Sequence, residues 1–431
     1  MSVTVVVGVN WGDEGKGRMV DYLARNSDVV VRFQGGNNAG HTVVNDFGLF
    51  KLHLVPSGIF WPGVLNVLGP GMVIDLEGLS QELDELAEAG VDCGGIRVSD
   101  RATICFPFHS QEDALEESRL GAHGFGSTKR GIAPAYSDRY AKKAIQLGEL
   151  ADRARLRERV EAIVEWKNAA LRGLYPDAER YSADEMFEWA NRHAERLGPH
   201  ICDTTVLLEN AVNEGKRLLL EAQLGALRDL YFGIYPYTTS STTLAAHAPV
   251  GAGLFGASVD RVVGVMKAFS TCVGEGPFVT EMPDDEAASL REVALEYGAA
   301  TGRPRRIGHF DVVASRYGAN VQGATELALT KLDSLSGRET LRVCVGYRID
   351  GRETAEFPLT AALQRAEPVY EELAGWEENL SDLRSYDDLP EAAKAYVVAL
   401  EQLVGRPIKY VSVGPEREAL ILRERALVGE A

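Results

Sequence analysis

The sequence predicts an α/β fold with a mostly parallel central sheet, flanking helices, helical insertions and a P-loop-like phosphate site. Two observations support this prediction: strand-like apolar runs alternate with amphipathic helical stretches, and a glycine-rich turn joins the first such run to the first helix. No repeat, low-complexity tract or long linker is present. We therefore expect one domain over residues 1–431, with helical insertions at about 75–125 and 145–215.

Composition narrows the class of protein. The chain has 431 residues and a net charge of −18, which argues against a general nucleic-acid-binding protein. There is no secretory-type N-terminal stretch and no apolar run of membrane length, so we expect no membrane association. The 5 cysteines are scattered and form no C-x-x-C pair. These features favour a cytoplasmic protein without a disulfide framework or a zinc site.

The first strand–turn–helix unit carries the strongest signal. Residues 3–7 read as a buried strand, residues 8–18 as a glycine-rich turn, and residues 19–23 have helical spacing. Such a turn binds phosphate through backbone N–H groups and the helix N-terminus, and Lys16 adds a full charge. It departs from the standard P-loop, because Asn10 replaces the first glycine and Gly17 replaces the serine or threonine after the lysine. Asp13 lies inside the turn and can bind a metal, accept a proton, or both.

A second glycine-rich turn follows the next predicted strand. Residues 28–33 read as a strand and lead into residues 34–42, which include Asn38, Gly40 and His41. Consecutive strand–turn pairs usually lie side by side in a parallel sheet. A lone histidine is more often structural, but this one lies among glycines, so we expect His41 to face the same phosphates as Asp13.

The other elements follow the same α/β alternation. Strands are predicted at 64–68, 217–221, 341–347 and 407–413, and amphipathic helices at 80–89, 151–168 and 183–196. The polar loop at 124–131 suits a monophosphate, and the basic cluster at 298–306 suits an anion. For both segments the alternative is an ordinary solvated loop.

A short motif near residue 330 suggests the nucleotide. Thr330-Lys331-Leu332-Asp333 resembles the N-K-x-D guanine signature, with threonine in place of asparagine. A carboxylate at Asp333 accepts hydrogen bonds from N1–H and the 2-amino group of guanine, which adenine does not offer. Together with the phosphate loop, the motif indicates GTP as co-substrate, with Mg²⁺ bridging the phosphates and Asp13 as its carboxylate ligand.

These motifs together resemble one known family. Over essentially its whole length the chain is similar to the adenylosuccinate synthetases, and the resemblance rests on residues 11–17, 34–42, 134–136, 235–237, 301–303, 330–333 and 414–415. The first two motifs at this separation are highly specific. The resemblance implies a ligase of purine biosynthesis that uses GTP to join L-aspartate to C6 of IMP, giving adenylosuccinate, GDP and phosphate.

The resemblance also implies site residues. Asp13 matches the base that takes the N1 proton, and His41 matches the residue that stabilises or protonates the leaving phosphate, with Lys16 beside them. One Mg²⁺ per subunit would be held by Asp13 and the Gly40 carbonyl. The acceptor-nucleotide contacts are Asp13, Lys16, Asn38, His41, Thr128, Lys142, Gln223, Leu224, Thr239 and Arg303. The aspartate contacts are Ala299, Ala300, Thr301, Gly302, Arg303 and Arg305. The GTP contacts are Gly12, Asp13, Glu14, Gly15, Lys16, Gly17, Gly40, His41, Thr42, Arg305, Lys331, Leu332, Asp333, Ser412, Val413 and Gly414.

Several positions depart from the family pattern. Leu224 stands where the family has a glutamine that contacts the purine nucleotide, unless Gln223 takes that place by a one-residue shift. Lys142 stands for the arginine that reaches the neighbouring site in the family's homodimer. Asn37 replaces a histidine, and residues 127–131 and 300–306 also differ. The catalytic pair is intact, so we expect activity on IMP. One branch of the family uses dGMP, and a 2-amino or deoxy nucleotide is the alternative acceptor.

Two other classes of function fit parts of the sequence. A GTPase-type switch protein would also need glycine loops and a guanine signature. An inactive paralogue with a scaffolding role is the third reading, although Asp13, Lys16 and His41 are all present.

Overall fold

The computed structural model describes residues 1–298 and 302–423. Its helices are α1 Lys16–Ala24, α2 Leu76–Glu88, α3 Pro107–Leu120, α4 Ile132–Tyr140, α5 Arg153–Leu174, α6 Ala183–Leu197, α7 Thr204–Asn213, α8 Ala248–Ala252, α9 Asp284–Val293, α10 Val312–Gln322, α11 Thr360–Leu363 and α12 Glu391–Val404. Within these ranges no helix is both long enough and apolar enough to cross a membrane.

The strands are shorter and mostly apolar. They are β1 Ser2–Gly8, β2 Val29–Arg32, β3 His41–Asn45, β4 Gly48–Leu52, β5 Leu65–Leu68, β6 Val73–Ile74, β7 Ile96–Ser99, β8 Thr103–Ile104, β9 Ile201–Cys202, β10 Arg217–Gly225, β11 Arg261–Lys267, β12 Ser270–Cys272, β13 Arg306–Gly308, β14 Phe310–Asp311, β15 Glu326–Thr330, β16 Arg338–Ile349, β17 Arg352–Thr354, β18 Glu367–Trp376, β19 Ile408–Ser412 and β20 Leu420–Leu422.

The central sheet has 10 strands in the order β20-β19-β15-β11-β1-β10-β2-β5-β7-β9. All neighbours are parallel except β20, which runs antiparallel to β19. This confirms the predicted mostly parallel α/β fold. The strands predicted at 64–68, 217–221 and 407–413 all belong to this sheet, whereas the strand predicted at 341–347 is part of β16 in a separate small sheet with β14, β17 and β18.

Both faces of the sheet are covered, which explains the continuous apolar runs of its strands. Val5 and Val7 of β1 pack into the core on one face, and Val6 packs with Met19 and Val20 of α1 on the other. Strands that are buried on both faces lose the alternating pattern of a half-exposed strand. The first helix is therefore fixed against β1, and the loop between them is fixed with it.

The segments predicted as helical insertions, 75–125 and 145–215, are largely helical, but they also carry β7 and β9 at one edge of the central sheet. Helix α5 packs on α6, and α6 packs on α2 around Phe106, Leu156, Val160 and Trp189. Their charged faces are mostly exposed, as the amphipathic pattern predicts. The single-domain organisation stays a prediction.

The register of the parallel strands places polar residues at one edge of the sheet. Glu221 of β10 pairs with Arg32 of β2 on one side and with Val6 of β1 on the other. Lys267 and Thr330 are paired at the ends of β11 and β15. Ligands of open α/β sheets bind outside these carboxyl ends, so this edge is where the functional site is expected.

Candidate functional site

The loop between β1 and α1 is folded around Glu14. Its Oε1 accepts hydrogen bonds from the backbone N–H groups of Asn10 (3.1 Å) and Gly12 (2.8 Å), and its Oε2 lies 2.6 Å from Lys16 Nζ. Glu14 and Lys16 are each only 2% exposed. A Cβ on Gly8 would lie 2.5 Å from the Glu14 carboxylate, so this position requires glycine. Here the charge of Lys16, predicted to face phosphate, is directed at Glu14.

Asp13 points out of the same loop and is held by a cation. Its backbone has φ 58°, and its side chain is 28% exposed. Arg305 Nε lies 2.9 Å from Asp13 Oδ2. Burial raises the pKa of this carboxyl, but the positive charges of Arg305, Lys267 and Lys16 outweigh burial and lower it overall. Asp13 is therefore ionised at neutral pH and available as a base or as a metal ligand.

His41 is oriented by a buried carboxylate. Its Nδ1 lies 2.5 Å from Glu221 Oε1, and Ser57 donates to the same carboxylate from its backbone N–H (2.8 Å) and its hydroxyl (2.6 Å). Burial lowers the pKa of His41, although Glu221 opposes the shift. Burial raises the pKa of Glu221, but His41, Arg32 and Ser57 outweigh burial and lower this pKa below its ordinary value. Glu221 is thus ionised and accepts the Nδ1 proton, which assigns Nε2 as the nitrogen free for chemistry.

The structure brings the two predicted catalytic side chains to the same loop. His41 packs on the first turn of α1, where a Cβ on Gly17 would lie 2.7 Å from His41 Cβ. The charge of Lys16 lowers the pKa of both Asp13 and His41. An acid and a base that share one cation can serve opposite ends of a transferred phosphoryl group.

A cleft of about 400 Å³ opens beside Asp13. Asn38, Thr128, Leu224 and Thr239, which the resemblance assigned to the acceptor nucleotide, all line it. Asn38 Oδ1 is buried and has no hydrogen-bond partner among the residues described. These four side chains therefore surround one space, which is large enough for a mononucleotide.

Gln223 does not face this cleft, contrary to its prediction as a nucleotide contact. It is fully buried, and its Nε2 donates to the Gly36 carbonyl (2.8 Å) beneath the second glycine-rich turn. Leu224 has φ 56° and faces the cleft instead, beside Gly12. The one-residue shift therefore does not occur, and an aliphatic side chain stands at the position where the family has a glutamine.

Two carboxylates of α3 fix the polar loop at 124–131. Glu117 accepts hydrogen bonds from the backbone N–H groups of Phe125, Gly126 and Ser127, and Asp113 accepts from the Ser127 hydroxyl (2.7 Å). Thr128 is thereby held at the cleft wall. The loop is ordered by the protein itself, so the alternative of a freely solvated loop does not hold.

The guanine motif lies at the end of β15, next to the end of β19. Asp333 Oδ1 is buried without a hydrogen-bond partner among the described residues, and burial raises the pKa of this carboxyl. The Ser412 carbonyl accepts from the Leu332 backbone N–H (3.2 Å), which joins the two strand ends. Lys331 Nζ donates to the Ala294 carbonyl (2.6 Å). A buried acceptor without a partner is costly, and a guanine N–H would satisfy Asp333.

The basic cluster after α9 is mostly paired with acids. Arg305 also donates to Glu296, with 2.6 Å between Nη1 and Oε2, and Arg306 pairs with Glu281. Arg305 is buried, so the alternative of a solvated basic turn fails for this residue. Gly302 and Arg303 are exposed, and the Arg303 carbonyl accepts from the Gly298 backbone N–H (2.8 Å). Ala299, Ala300 and Thr301, predicted as aspartate contacts, lie outside the described residues.

Four further predicted contacts lie on or beside β3, α4 and β19: Gly40, Thr42, Lys142 and Val413. Thr42 is exposed on β3, and Lys142 is exposed just after α4 with φ 61°. Gly40 directly precedes β3, and its carbonyl and the Asp13 carboxylate are oxygen donors of the kind that Mg²⁺ prefers. Val413 is buried, and its backbone N–H donates to the Ala419 carbonyl (3.0 Å).

Sequence reasoning missed Glu221 and Arg32 and predicted Glu14 as a GTP contact, whereas its carboxylate accepts from the loop N–H groups and Lys16. Arg32 is fully buried at the end of β2, between Glu221 and Glu82, and its Nη1 donates to the His53 carbonyl (2.7 Å). A charged residue ending a buried apolar strand was the available signal, because such charges are rarely buried without a partner.

Fold and site together define a class: an α/β enzyme of phosphoryl transfer that binds a purine nucleotide at the carboxyl edge of a parallel sheet. A family profile described as adenylosuccinate synthetase matches residues 5–421. Adenylosuccinate synthetase 2 of Pseudoalteromonas translucida is 52% identical over 424 residues, covering 98% of this chain and 100% of the relative. The chain belongs to the adenylosuccinate synthetase family, whose members are GTP-dependent ligases that form a C–N bond between L-aspartate and IMP.

Two solved structures are similar to this chain. Fully ligated adenylosuccinate synthetase from Plasmodium falciparum matches with a TM-score of 0.92 and 33% identity, covering 98% of this chain and 100% of that one. Succinoaminodeoxyadenylate synthetase of cyanophage S-2L, bound to dGMP and dATP, matches with a TM-score of 0.59 and 19% identity, covering 98% and 95%. The second likeness shows a shared fold and nothing about the acceptor.

Proposed function

We propose that this chain joins L-aspartate to C6 of IMP at the expense of GTP, with Asp13 as the base and His41 as its counterpart at the phosphate. The observation that supports this assignment is the placement of Asp13 in the loop between β1 and α1 and of His41 against Gly17 in the first turn of α1. Phosphoryl transfer needs positioning and electrostatic stabilisation more than covalent chemistry from the protein.

The proposed reaction has two steps. Asp13 takes the N1 proton of IMP, and O6 attacks the γ-phosphorus of GTP, so that the O6–P bond forms and the bond to GDP breaks. The amine of L-aspartate then attacks C6, phosphate leaves with O6, and the nitrogen loses a proton. The oxo group is a poor leaving group, and its phosphorylation makes this displacement feasible.

His41 suits the charge that develops on the transferred group. Its Nδ1 proton is directed at Glu221, which leaves Nε2 as the nitrogen that can take up or release a proton. The negative charge of a phosphoryl group favours protonation of Nε2, because an anion nearby stabilises the imidazolium form. His41 would then donate to the phosphoryl oxygens while Glu221 stabilises the positive ring.

The donor chemistry also fits a metal. Asp13 and the Gly40 carbonyl would hold one Mg²⁺ per subunit, which would neutralise charge on the GTP phosphates. We further propose that the enzyme is a homodimer in which Lys142 reaches the neighbouring subunit's nucleotide. The exposure of Lys142 is consistent with this role.

A stoichiometry experiment separates the ligase from a GTPase switch. GDP release is measured with GTP and Mg²⁺ while IMP and L-aspartate are omitted in turn. We expect rapid GDP formation only when both are present. Steady hydrolysis without them would identify a switch protein and reject the ligase.

One observation supports a second acceptor. Leu224 cannot form a side-chain hydrogen bond with the base, whereas the glutamine of the family can. IMP, dIMP, GMP and dGMP are therefore offered in parallel with GTP, Mg²⁺ and L-aspartate. We expect IMP to be preferred, and a dGMP-to-IMP ratio of kcat/KM above one would identify a 2-aminopurine nucleotide as the acceptor instead.

A further inference from the structure

A buried chain of charges leads from the catalytic loop into the protein interior. Arg305 bridges two carboxylates, with 2.9 Å between its Nε and Asp13 Oδ2 and 2.6 Å between its Nη1 and Glu296 Oε2. The same Glu296 oxygen lies 2.7 Å from Lys267 Nζ. Lys267 also donates to the Thr271 hydroxyl (2.7 Å), and Thr271 lines the cleft beside Asp13.

Glu296 lies at the centre of this network of charges, in contact with both Lys267 and Arg305. Its side chain is fully buried, and Lys267 is 4% exposed, whereas Asp13 at the other end is 28% exposed. Glu296 Oε1 has no hydrogen-bond partner among the described residues. Lys267 holds the Glu296 carboxylate, and the same carboxylate oxygen anchors the Arg305 guanidinium from the interior side. Arg305 therefore meets Asp13 through Nε in one orientation.

Glu296 and Lys267 also lie close to the guanine motif at residues 330–333. The positive charge of Lys331 acts on Glu296, and Lys331 Nζ donates to the Ala294 carbonyl, two residues before Glu296. The segment that follows α9, residues 294–296, therefore contacts the guanine motif on one side and Arg305 on the other. A displacement of Glu296 would alter the position of Arg305 relative to Asp13 and to the guanine motif.

We propose that Glu296, with Lys267, is a positioning residue for the reaction: the pair fixes Arg305 so that its guanidinium holds Asp13 in the orientation that proton transfer from the acceptor requires. The inference rests on the proposed role of Asp13. The two can fail separately, since that role is tested by replacing Asp13 itself. A misplacement of about 1 Å at such a site costs about 100-fold in rate.

The alternative is a purely structural ion pair, and a paired replacement distinguishes the two. Glu296→Met leaves Lys267 buried without its carboxylate and should lower the melting temperature. Adding Lys267→Met removes that unpaired charge and should restore much of the melting temperature. Arg305 still lacks its interior carboxylate in the double variant. We therefore expect kcat to stay about 10- to 100-fold below wild type, with the KM for IMP within about threefold.

A matched control is available at the opposite end of β19. Glu401 pairs with Arg423 there, with 3.0 Å between Oε1 and Nη1 and comparable burial. Glu401→Met should lower the melting temperature like Glu296→Met while leaving kcat within about twofold of wild type at a temperature where all variants are folded. Glu296→Gln, which keeps an oxygen for Arg305, should recover part of the lost kcat.

The kcat of the double variant decides the outcome. A value below one tenth of wild type, with a smaller loss in Glu401→Met, supports positioning. A value at or above about one tenth of wild type, or an equal loss in Glu401→Met, would overturn it, whatever the melting temperatures show.

Discussion

At the scale of single residues, the site depends on how charges are paired. Asp13 is kept ionised by cations, and His41 is kept neutral by burial while its Nδ1 proton is held by Glu221. Both groups are therefore deprotonated in the free site, which suits Asp13 as the base, and His41 can act as an acid only after the phosphoryl charge favours protonation of Nε2.

Replacing Asp13 tests the base directly. Asp13→Asn removes the charge that accepts the proton but keeps the glycine loop, so turnover should fall below a few per cent of wild type while GTP binding stays measurable. A loss of about 10²- to 10⁴-fold is typical of a positioned acid–base group. Steady-state kcat and equilibrium binding of GTP would be measured in parallel. Retention of more than a few per cent of turnover would refute Asp13 as the base.

Replacing Glu221 tests whether His41 depends on its carboxylate. Glu221→Gln removes the charge that stabilises the imidazolium and should lower kcat by about 10- to 1000-fold. The double variant with His41→Asn should be no worse than His41→Asn alone, because both changes act through one ring. Ser57→Ala is the control, since it removes one hydrogen bond and keeps the carboxylate. Additive losses in the double variant would contradict the dependence.

At the scale of elements, the sequence predicted strands and loops better than it predicted which side chains meet. The loop between β1 and α1 was predictable, because its glycines interrupt two clear periodic patterns. Glu221 was not, because its contact with His41 joins β10 of the central sheet to β3 of a separate hairpin, and no local pattern encodes that contact. Gln223 was misplaced for a related reason. The pairing of β1 with β10 shifts register after Val6, and Leu224 adopts φ 56°, so Gln223 turns inward.

The strand ends of β15 and β19 yield a prediction about base specificity. Asp333 offers a buried acceptor, so GTP should support the reaction far better than ATP does. Asp333→Asn supplies a donor as well as an acceptor, which should weaken GTP and improve XTP, whose 2-carbonyl can accept from it. The ratio of kcat/KM for GTP to kcat/KM for XTP would be measured in wild type and in Asp333→Asn. An unchanged ratio would remove Asp333 from base recognition.

At the scale of the whole molecule, stability should depend on Glu82, a buried carboxyl of α2. Burial raises the pKa of Glu82 to about 7, although the backbone N–H groups of Leu54 and His53 and the charge of Arg32 oppose the shift. The folded state then binds more protons than the unfolded state between the ordinary pKa of 4.5 and about 7. The stability from this group is present below that window and is lost as pH rises through it.

A variant isolates this contribution. The difference in free energy of unfolding between wild type and Glu82→Gln should shift against wild type by about 1 to 3 kcal/mol between pH 4.5 and pH 8, because glutamine does not titrate. Urea unfolding at a series of pH values would measure it. A difference that is constant with pH would show that Glu82 keeps an ordinary pKa.

The assembly of the molecule is tested by subunit mixing. If Lys142 reaches the neighbouring site, Asp13→Asn and Lys142→Leu subunits should each be impaired alone, yet a mixed dimer should contain one complete site. That site has its own Asp13 and takes Lys142 from the Asp13→Asn partner. Equal amounts that exchange at random should recover about one quarter of wild-type activity, because about half of the dimers are mixed and each has one working site.

The control for this mixing experiment places both changes in one subunit. A double Asp13→Asn, Lys142→Leu subunit mixed with wild type gives hybrid dimers in which neither site is complete: one lacks its own Asp13, and the other lacks the partner's Lys142. Activity should then come from wild-type dimers alone and fall as exchange proceeds. If Lys142 instead acts within its own subunit, the first mixture would recover nothing on exchange and the second would lose nothing. The direction of change therefore identifies which subunit's nucleotide Lys142 contacts.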